Sequence, residues 1–320
     1  MKNELSVVIA AEFSLSEKIA EFLAQSELTI EKLQIAEIYP FSEEQGIRFQ
    51  NKAVVQKEID EINWGEVNYL FFAGDSTFAE HLIHATQGGC VVIDLLGVCA
   101  SLADVPVVVP TVNEGGLSEL RQRHIVSLPD PQVTQLALAI APLARENISQ
   151  VLVTSLLPAS YVGQACVEKL AGQTAQLLNG IPLDEGLQRL AFDVFPLQGK
   201  NLNAQLQKIY PQLTAHFHSV QTPVFYGMAQ KVTALSEYGD IDTAQIISQW
   251  EENPLLAYEP DTLPTPVTNG ESEEGIPQLH LQQLSAVENG MAFWSVCDEQ
   301  RFALAYLAVR LAELIYTQGY

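Results

Sequence analysis

The first predicted element is a short apolar strand that runs directly into an amphipathic helix, and this pairing constrains the fold more than any other feature. Residues 5–11 read LSVVIAA, a continuous apolar run typical of a strand that is buried on both faces. The following segment, 16–25, places Ile19, Phe22 and Leu23 on one helical stripe. A strand that leads straight into a helix is how α/β domains with parallel sheets begin.

Strands and helices continue to alternate up to Pro131, as expected for a mostly parallel, doubly wound sheet. A helix is predicted over 77–87, and further strands are predicted over 33–38, 69–73, 90–93, 107–109 and 124–128. These elements predict an α/β domain in the first part of the chain.

Beyond Pro131 the spacing of the predicted elements changes. A long apolar helix is predicted over 132–146, with Pro131 at its permitted start and Pro142 loosening its last turn. A second helix is predicted over 161–178, and extended segments over 148–157, 212–225, 278–284 and 291–296. Strands this far apart, with few helices between them, favour an α+β second domain.

A final helix is predicted over 301–316, with an apolar stripe formed by Leu304, Leu307, Ala308 and Leu311. We expect this helix to return to the first domain and pack on it. The expected domains are therefore 1–131 plus 300–320 and 132–299. The acidic stretch over 259–275, which is rich in Pro and Gly, is predicted to be a loop.

The balance of charge excludes several classes of partner. The 320 residues include 16 Lys and Arg against 39 Asp and Glu, so the formal net charge is −23. A chain this acidic repels the phosphates of nucleic acids and anionic lipid surfaces. No apolar run approaches the roughly 18 residues of a membrane-spanning helix, and the first residues do not resemble a signal peptide. We therefore expect a cytoplasmic protein that binds neither nucleic acid nor membrane.

The turn after the first strand, AAEFSLS, is where a dinucleotide-binding fold carries glycines, because only glycine lets the backbone approach a pyrophosphate closely. Every position of this turn carries a side chain: Ala10, Ala11, Glu12, Phe13, Ser14, Leu15 and Ser16. Glu12 also adds a carboxylate beside the helix N-terminus, which would otherwise favour phosphate. We interpret the segment as an ordinary capped turn without a ligand.

The side chains that carry most catalytic and metal chemistry are scattered. No cysteine has a predicted partner that would activate its thiol, so we interpret all four as structural: Cys90, Cys99, Cys166 and Cys297. His216 and His218 would point to one face of a strand, but no third ligand lies at a telling spacing, so no metal site is predicted. Glu271, Glu273 and Glu274 are interpreted as a solvated loop.

Six segments, spread in order over nearly the whole chain, share a further pattern. They are FFAGDSTFAEHLIHATQGGCVVID (71–94), DVPVVVPTVN (104–113), HIVSLPDPQVTQLALAIAPL (124–143), LAGQTAQLLNG (170–180), TPVFYGMAQ (222–230) and ENGMAFWSVCDEQRFALAYLAVRLAELI (288–315). Together they resemble the aspartate-semialdehyde dehydrogenase family. The LLNG and FWSV sequences within them are most similar to its Usg-type subgroup.

This resemblance implies an NADP-binding-type Rossmann domain at the N-terminus, completed by the C-terminal helix. It also implies an α+β dimerisation domain of the glyceraldehyde-3-phosphate dehydrogenase-like type. We expect a homodimer that buries well over about 2,000 Å² through that domain. The composition agrees, because 48% hydrophobic and only 17% charged residues leave apolar surface for a large interface.

The residues that the resemblance implies to be catalytic are replaced in this chain. Active members use a cysteine thiolate, in an asparagine–cysteine motif at the start of the long helix, to attack the aldehyde. Pro131 stands at the cysteine position. Their acid/base histidine follows a glycine next to a TPVF-like segment, where this chain has Gly227 and Met228. Proline has no nucleophile, and a thioether cannot shuttle a proton.

The substrate and cofactor contacts implied by the resemblance are replaced as well. Gln221 stands where an arginine grips the substrate carboxylate, Leu157 replaces a glutamine, and Ala100 replaces the phosphate-gripping arginine. Bidentate, charge-assisted recognition is therefore lost. The asparagine and the lysine that contact the cofactor appear as Glu299 and Phe302.

We therefore predict a pseudoenzyme, a dehydrogenase-like homodimer that binds no cofactor and has a binding or regulatory role, in which another protein is the partner. Two alternatives remain open. One is an NADP-dependent oxidoreductase that acts on a small semialdehyde through a re-sited nucleophile, for which Cys99 is the best candidate. The other is a metabolite sensor that uses the cleft between the domains.

Overall fold

The structure is a computed structural model of the chain and describes residues 4–42, 45–145, 148–237, 241–270 and 275–320. Its strands, β1 to β15 in chain order, are Leu5–Ala10, Ile30–Glu37, Arg48–Phe49, Lys52–Ala53, Val55–Glu58, Tyr69–Phe72, Val91–Asp94, Ile125–Ser127, Ile148–Leu157, Phe195–Pro196, Thr214–Gln221, Met228–Ser236, Leu256–Tyr258, Leu279–Val287 and Gly290–Cys297. Its α-helices, α1 to α8, are Phe13–Gln25, Ala79–Gln87, Pro131–Ile140, Gln164–Leu178, Leu202–Ile209, Thr243–Glu252, Pro266–Asn269 and Leu307–Thr317. A π-helix spans Glu299–Tyr306, and 3-10 helices span Ile59–Glu61, Trp64–Glu66, Ser76–Phe78, Glu114–Gln122, Ala141–Arg145 and Ala159–Tyr161.

The chain divides into two compact units. Unit 2 contains Ala139–Asn203 and Tyr210–Phe302, and unit 1 contains Met1–Leu138, Ala204–Ile209 and Ala303–Tyr320. The short segment Ala204–Ile209 thus clusters with unit 1, although it lies inside the span 132–299 that the sequence assigns to a second domain. The domain bounds themselves stay a prediction.

Unit 1 is built on a six-stranded sheet whose neighbouring strands pair in parallel. The strand order is β5-β2-β1-β6-β7-β8, which is the order of a doubly wound Rossmann-like domain. Val7, Val8 and Ile9 of β1 are fully buried, because the central strand of such a sheet is covered on both faces. The predicted α/β fold class is confirmed.

The C-terminal helix packs on unit 1, as predicted. Tyr306 meets Phe22 of α1 edge to face, with the ring centroids 5.2 Å apart. The amide of Glu27 donates a hydrogen bond to Glu313 Oε1 at 2.9 Å. The helix begins in π form at Glu299, earlier than the predicted residue 301, and continues as α8.

Unit 2 is built on a seven-stranded mixed sheet of order β10-β11-β9-β12-β15-β14-β13. β9 pairs with β11 in parallel and with β12 in antiparallel register. One face of the sheet is fully buried at Val151, Val153, Val232, Ala234 and Phe293. A mixed sheet combined with helices such as α4 and α6 is the predicted α+β arrangement.

The opposite face of this sheet is exposed, and we call it the open sheet face. It carries Leu152 and Thr154 of β9, His216 and His218 of β11, and Lys231 of β12, all of which are exposed. The register places His218, Thr154 and Lys231 side by side across three strands. The prediction that the two histidines point to one face of a strand is confirmed.

The sequence pattern does not predict β12, which lies at the centre of this sheet. The strand reads MAQKVTALS and places a glutamine on the buried face, where Gln230 Nε2 donates to Ser155 Oγ at 3.1 Å. This buried polar pair interrupts the apolar alternation that marks a strand. The pattern also misses α6, although Asp242 caps that helix by accepting from the amides of Ala244 and Gln245.

The long helix after Asp130 changes form where the sequence predicts it. α3 ends at Ile140 and a 3-10 helix, Ala141–Arg145, follows. Pro142 has no amide hydrogen to continue the α-helical bonding, which accounts for the change. Among the described residues, no helix is both long enough and apolar enough to cross a membrane.

β12 begins after a close crossing of two backbone segments. Gly227 has a φ of +88°, in the left-handed region that favours glycine. A Cβ added at Gly227 would lie 2.8 Å from the Cα of Gly270 and 2.8 Å from the carbonyl oxygen of Pro266. The segment containing α7 therefore fixes the turn that precedes Met228.

Replacing Gly227 by alanine should destabilise the protein by about 3 kcal/mol or more, because left-handed strain adds to a backbone overlap that no rotamer relieves. Gly180 is the matched control, since its φ is +70° but no atom lies within 4 Å of an added Cβ. Gly180→Ala should cost about 1 kcal/mol. Chemical denaturation of both variants measures the difference in stability. Equal losses of stability would contradict the close backbone approach at Gly227.

Candidate functional site

The turn between β1 and α1 has an ordinary backbone, although it lies at the carboxyl end of a central parallel strand. α1 begins at Phe13, earlier than the predicted residue 16, and Glu12 precedes it with a φ of −58°. The Ser16 amide donates to the Glu12 carbonyl at 2.9 Å, and the Ser16 hydroxyl donates to the Ala11 carbonyl at 3.3 Å. These bonds close the turn without glycine.

Side chains occupy the space beside this turn. The Phe13 ring packs edge to face on Phe41, with ring centroids 5.3 Å apart and an interplanar angle of 86°. Ala10, Ala11 and Ser16 are fully buried. A dinucleotide in this fold needs bare backbone here, so that its pyrophosphate reaches the helix N-terminus. The residues of the turn therefore do not fit a dinucleotide.

The charge beside the turn is negative. Burial raises the pKa of Tyr39, and the carboxylates of Asp75 and Glu12 raise it further. Hydrogen bonds from Thr77 lower the pKa of Asp75, which keeps that carboxyl group ionised. Because Glu12 stands at the helix N-terminus, the local field opposes an anion.

The start of α3 holds the position that the resemblance assigns to the catalytic cysteine. Pro131 is the first residue of the helix and is buried. Asp130 Oδ1 accepts from the Gln132 amide at 3.0 Å, and the Asp130 amide donates to Gln205 Oε1 at 2.8 Å. Proline fits here because the first helical residue needs no amide donor. The position has a capped backbone and no nucleophile.

The loop after β7 holds buried Ala100 at the position of the phosphate-gripping arginine, next to Cys99. The Cys99 amide donates to Asp94 Oδ2 at 2.7 Å, and Ser127 Oγ donates to the same oxygen at 2.6 Å. Burial, followed by the Asp94 carboxylate, raises the pKa of the Cys99 thiol to about 12. A thiol with that pKa stays protonated near neutral pH and is a poor nucleophile.

In unit 2, Leu157 and Gln221 end neighbouring strands and pair in register. Gln221 Nε2 donates to the carbonyls of Leu157 and Thr222, each at 3.2 Å. Gln221 is 3% exposed, and its Oε1 has no hydrogen-bond partner among the described residues. The side chain therefore joins two strand ends and offers no charge to a substrate carboxylate.

Met228 opens β12 directly after Gly227 and is fully buried. It pairs in register with Cys297 of β15. Neither sulfur transfers protons near neutral pH, because a thioether has no ionisable hydrogen and burial raises the pKa of the Cys297 thiol well above its usual value. The predicted position of the acid/base histidine therefore holds no proton carrier.

Unit 2 also contains a buried carboxyl cluster that the sequence pattern does not reveal. Glu299, which the resemblance places at a cofactor contact, is 1% exposed. Its Oε1 accepts from the Ser160 hydroxyl, and its Oε2 accepts from the Gly227 amide at 3.1 Å. Gln300 Nε2 donates to the Ser160 carbonyl at 3.3 Å. The cluster joins the start of the π-helix to the turn after β9 and to the turn before β12.

The Glu299 carboxyl group is a weaker acid than an exposed glutamate. Its pKa rises to about 8, first because of burial and then because of the neighbouring Asp298 carboxylate. The hydrogen bonds from Ser160 and Gly227 oppose the rise. The only signal in the sequence is a pair of consecutive acids between an apolar strand and an apolar helix.

Asp298 holds the start of the π-helix. Its Oδ1 accepts from the amides of Gln300 at 3.0 Å and Arg301 at 2.7 Å, and its carbonyl accepts from the Phe302 amide at 2.9 Å. Phe302, which the resemblance places at a cofactor-contacting lysine, is fully buried. π-helical segments are frequent at functional sites, and here the segment carries Glu299 into the interior.

The remaining candidate residues do not converge on a site. Cys90, Cys99 and Cys297 are buried and Cys166 is partly buried, and burial raises the pKa of every one of these thiols. Within the described ranges, no group of three or more His, Cys, Asp or Glu side chains is arranged to hold a metal ion. The predicted solvated run Glu271, Glu273 and Glu274 lies outside the described residues.

No family model matches the chain, but individual relatives match it over its full length. The USG-1 protein homolog of Haemophilus influenzae is 61% identical over 100% of this chain and 100% of its own. Aspartate-semialdehyde dehydrogenase 2 of Vibrio cholerae is 28% identical over 98% of both chains. The crystal structure of aspartate semialdehyde dehydrogenase II from Vibrio cholerae, 27% identical, gives a TM-score of 0.90 and covers 99% of this chain and 100% of that chain.

The combination of a Rossmann-like unit with a mixed α+β unit is the fold of the aspartate semialdehyde dehydrogenase structure that matches the chain. The chain belongs to the aspartate-semialdehyde dehydrogenase family and, within it, to the Usg-like subgroup. The resemblance drawn from the sequence segments is confirmed.

Glu299→Gln should change how stability depends on pH. The folded-state pKa of about 8 lies above the ordinary value of 4.5. The protonated carboxyl therefore favours the folded state below pH 4.5, and this contribution is lost as the pH rises through 8. Relative to the glutamine variant, the wild type should lose up to about 1.4 kcal/mol per pH unit across that interval. Urea unfolding at a series of pH values measures the difference.

Glu252→Gln, at an exposed position on α6, is the matched control for the same chemical change. Its stability profile should run parallel to that of the wild type. If the Glu299→Gln profile also runs parallel to the wild type, the raised pKa of Glu299 is wrong.

Proposed function

We propose that this chain is a catalytically inactive member of its family that acts by binding another protein. The observation that carries the loss of catalysis is Pro131, buried at the start of α3. Thiolate attack requires a cysteine at that helix start, and proline supplies no nucleophile. Met228 supports the same conclusion, because a buried thioether neither gives nor accepts a proton.

The substrate contacts give further support. Gln221 uses its amide to join two strand ends, and Ala100 is buried without any charged group of its own. Guanidinium groups hold carboxylates and phosphates through bidentate, charge-assisted hydrogen bonds, and the neutral side chains at these two positions do not supply such bonds. A semialdehyde of the family's kind would therefore be held weakly.

We also propose that the chain binds neither NADP nor NAD. A pyrophosphate at the β1–α1 turn would have to displace the Phe13–Phe41 pair. It would also approach the carboxylate of Glu12 at the end of the helix where phosphates otherwise bind. Steric overlap and charge repulsion thus both oppose binding of the cofactor.

The competing function is an NADP-dependent oxidoreductase with a re-sited nucleophile, and it has weaker support. The pKa of about 12 for the Cys99 thiol leaves almost no thiolate near neutral pH. Such a nucleophile requires a partner that lowers the thiol pKa. Arg123 does lower the pKa of Cys99, but burial and the Asp94 carboxylate raise it by more.

We further propose that two copies of the chain form a homodimer through the open sheet face. Leu152 is 40% exposed at the middle of β9, on a face formed by neighbouring strands of a large sheet. A second copy supplies a matching surface by symmetry, so that the exposed Leu152 of each copy becomes covered. The net charge of −23, together with four cysteines that form no disulfide within the described residues, supports a cytoplasmic protein without nucleic-acid or membrane partners.

Leu152→Asp should convert the dimer to a monomer, because it places a charge from each copy into the interface. Ile83→Asp is the matched control, since Ile83 is 53% exposed on α2 of unit 1 and is not a residue of the open sheet face. Light scattering at micromolar concentration should find a dimer for the wild type and for Ile83→Asp. A monomeric wild type would contradict the proposed dimer.

Restoring the nucleophile and the base together, Pro131→Cys with Met228→His, should not restore NADP-dependent oxidation of aspartate semialdehyde. A thiolate and an imidazole act only on a substrate held in reacting orientation, and the groups that would hold it are absent at Ala100 and Gln221. Turnover by the purified double variant is the measurement, with each single variant as background. Rates clearly above that background would overturn the proposal.

A second measurement separates loss of folding from loss of chemistry. Met228 is fully buried, so histidine there costs stability, and circular dichroism must show that the double variant is folded. Calorimetric titration of the wild type with NADPH at low salt needs no substitution. Negligible heat is expected, and a dissociation constant in the low micromolar range would support the oxidoreductase instead.

A further inference from the structure

A cavity of about 570 Å³ lies in unit 1, apart from every position discussed above. Its volume falls in the range of pockets that hold small molecules. It lies beyond the C-terminal end of α1, whereas the β1–α1 turn lies at the other end of that helix, which has 13 residues and is therefore about 20 Å long. The residues that line it include Glu27, Leu28, Glu313, Tyr316, Thr317 and Tyr320.

Two helices end at this cavity. α1 ends at Gln25, two residues before Glu27, and α8 ends at Thr317, which is itself a lining residue. The C-terminal end of an α-helix carries a partial negative charge, and basic side chains often balance it. Neither helix has a basic residue in its last turn, and the structure describes every residue of both turns. Both helix ends therefore favour a cation from outside.

The acidic side chains of the cavity have the same preference. Glu313 Oε1 accepts from the Glu27 amide at 2.9 Å, and Glu313 Oε2 accepts from Arg310 Nη1 at 2.6 Å. Arg310 therefore balances the charge of Glu313, whereas Glu27 brings a second carboxylate to the cavity wall. Because Glu27 contributes only its backbone amide to the first bond, its side chain can be changed without breaking that bond.

Tyrosine rings form a further part of the wall. The Tyr69 hydroxyl donates to the Tyr320 backbone oxygen at 2.9 Å, and the Tyr320 hydroxyl donates to the Leu117 carbonyl at 2.9 Å, which fixes the Tyr320 ring. The Arg121 guanidinium lies 5.0 Å from the centroid of that ring. The face of an aromatic ring attracts cations, and the Tyr320 ring already holds one. Tyr316 adds a second ring.

We propose that this cavity binds a small organic cation, an alkylammonium compound. The ammonium group lies by Glu27 and the two helix ends, and the carbon chain lies against the tyrosine rings and buried Leu28. A bare metal ion would leave most of the volume unfilled and would gain nothing from Leu28. The proposal does not rest on the loss of catalysis, so the restored-nucleophile assay and binding at this cavity can fail independently.

The probe is 1,5-diaminopentane dihydrochloride, which joins two ammonium groups through an apolar chain. About 10 mM of this salt should raise the Tm of the wild type by about 2 °C. Magnesium chloride at the same concentration has the same charge and ionic strength, and it controls for general attraction of cations to a chain of net charge −23. 1,5-Pentanediol controls for the carbon chain. Neither compound should change the Tm.

Glu27→Gln tests the carboxylate. It should bind 1,5-diaminopentane about tenfold more weakly than the wild type in calorimetric titration, because a charge-assisted hydrogen bond is lost. Glu58→Gln is the matched control, since Glu58 is an exposed acid at the end of β5 in unit 1 and does not line the cavity. It makes the same change in net charge and should keep the affinity of the wild type.

Tyr316→Leu and Tyr316→Phe test the aromatic wall. The leucine variant loses the ring and should bind about threefold more weakly, whereas the phenylalanine variant keeps the ring and should bind like the wild type. The Tm of each variant is measured first without the probe, so that a loss of stability is not taken for a loss of binding.

Three results would overturn the proposal. The first is an equal rise in Tm with magnesium chloride or with pentanediol. The second is an equal affinity of Glu27→Gln and Glu58→Gln for 1,5-diaminopentane, which would mean that the amine binds elsewhere on the acidic surface. The third is an equal affinity of the leucine and phenylalanine variants of Tyr316.

Discussion

The approach of Gly227 to Gly270 sets the geometry of unit 2. A Cβ added at Gly270 would lie only 2.4 Å from the Cα of Gly227, so neither position accepts a side chain without movement of the backbone. This approach fixes the start of β12, which lies at the centre of the mixed sheet, and directs the Gly227 amide to the Glu299 carboxyl group. This backbone contact therefore sets both the start of the central strand β12 and the position of the buried Glu299 carboxyl group.

Strands and helices whose apolar side chains recur at a regular spacing could be predicted from the sequence. β9 has the bounds of the predicted strand 148–157, and the apolar stripe of the C-terminal helix is buried as expected. β12 could not be predicted, because Gln230 is buried with a partner, Ser155, that lies far away in the sequence. A buried polar residue is explained only by the group it meets, and a pattern within one segment does not contain that group.

Some residues of the candidate site can likewise be recognised in the sequence, whereas others cannot. The missing glycines of the first turn and the proline at the start of α3 can be recognised in the sequence, because each concerns the backbone chemistry of a single residue. Glu299 cannot be recognised so, since its donors come from Ser160 and Gly227 on other elements. Its raised pKa follows from burial, which is a property of the folded chain.

Pro131 has an effect that reaches beyond the missing nucleophile. Its ring restricts φ in the unfolded chain as well as in the helix, so folding removes less entropy there. At a helix start that needs no amide donor, this restriction contributes about 0.4–1 kcal/mol to folding. Pro131 therefore contributes stability at the position where the resemblance to active family members places a cysteine. Pro131→Cys would lose that contribution even if the variant stayed folded.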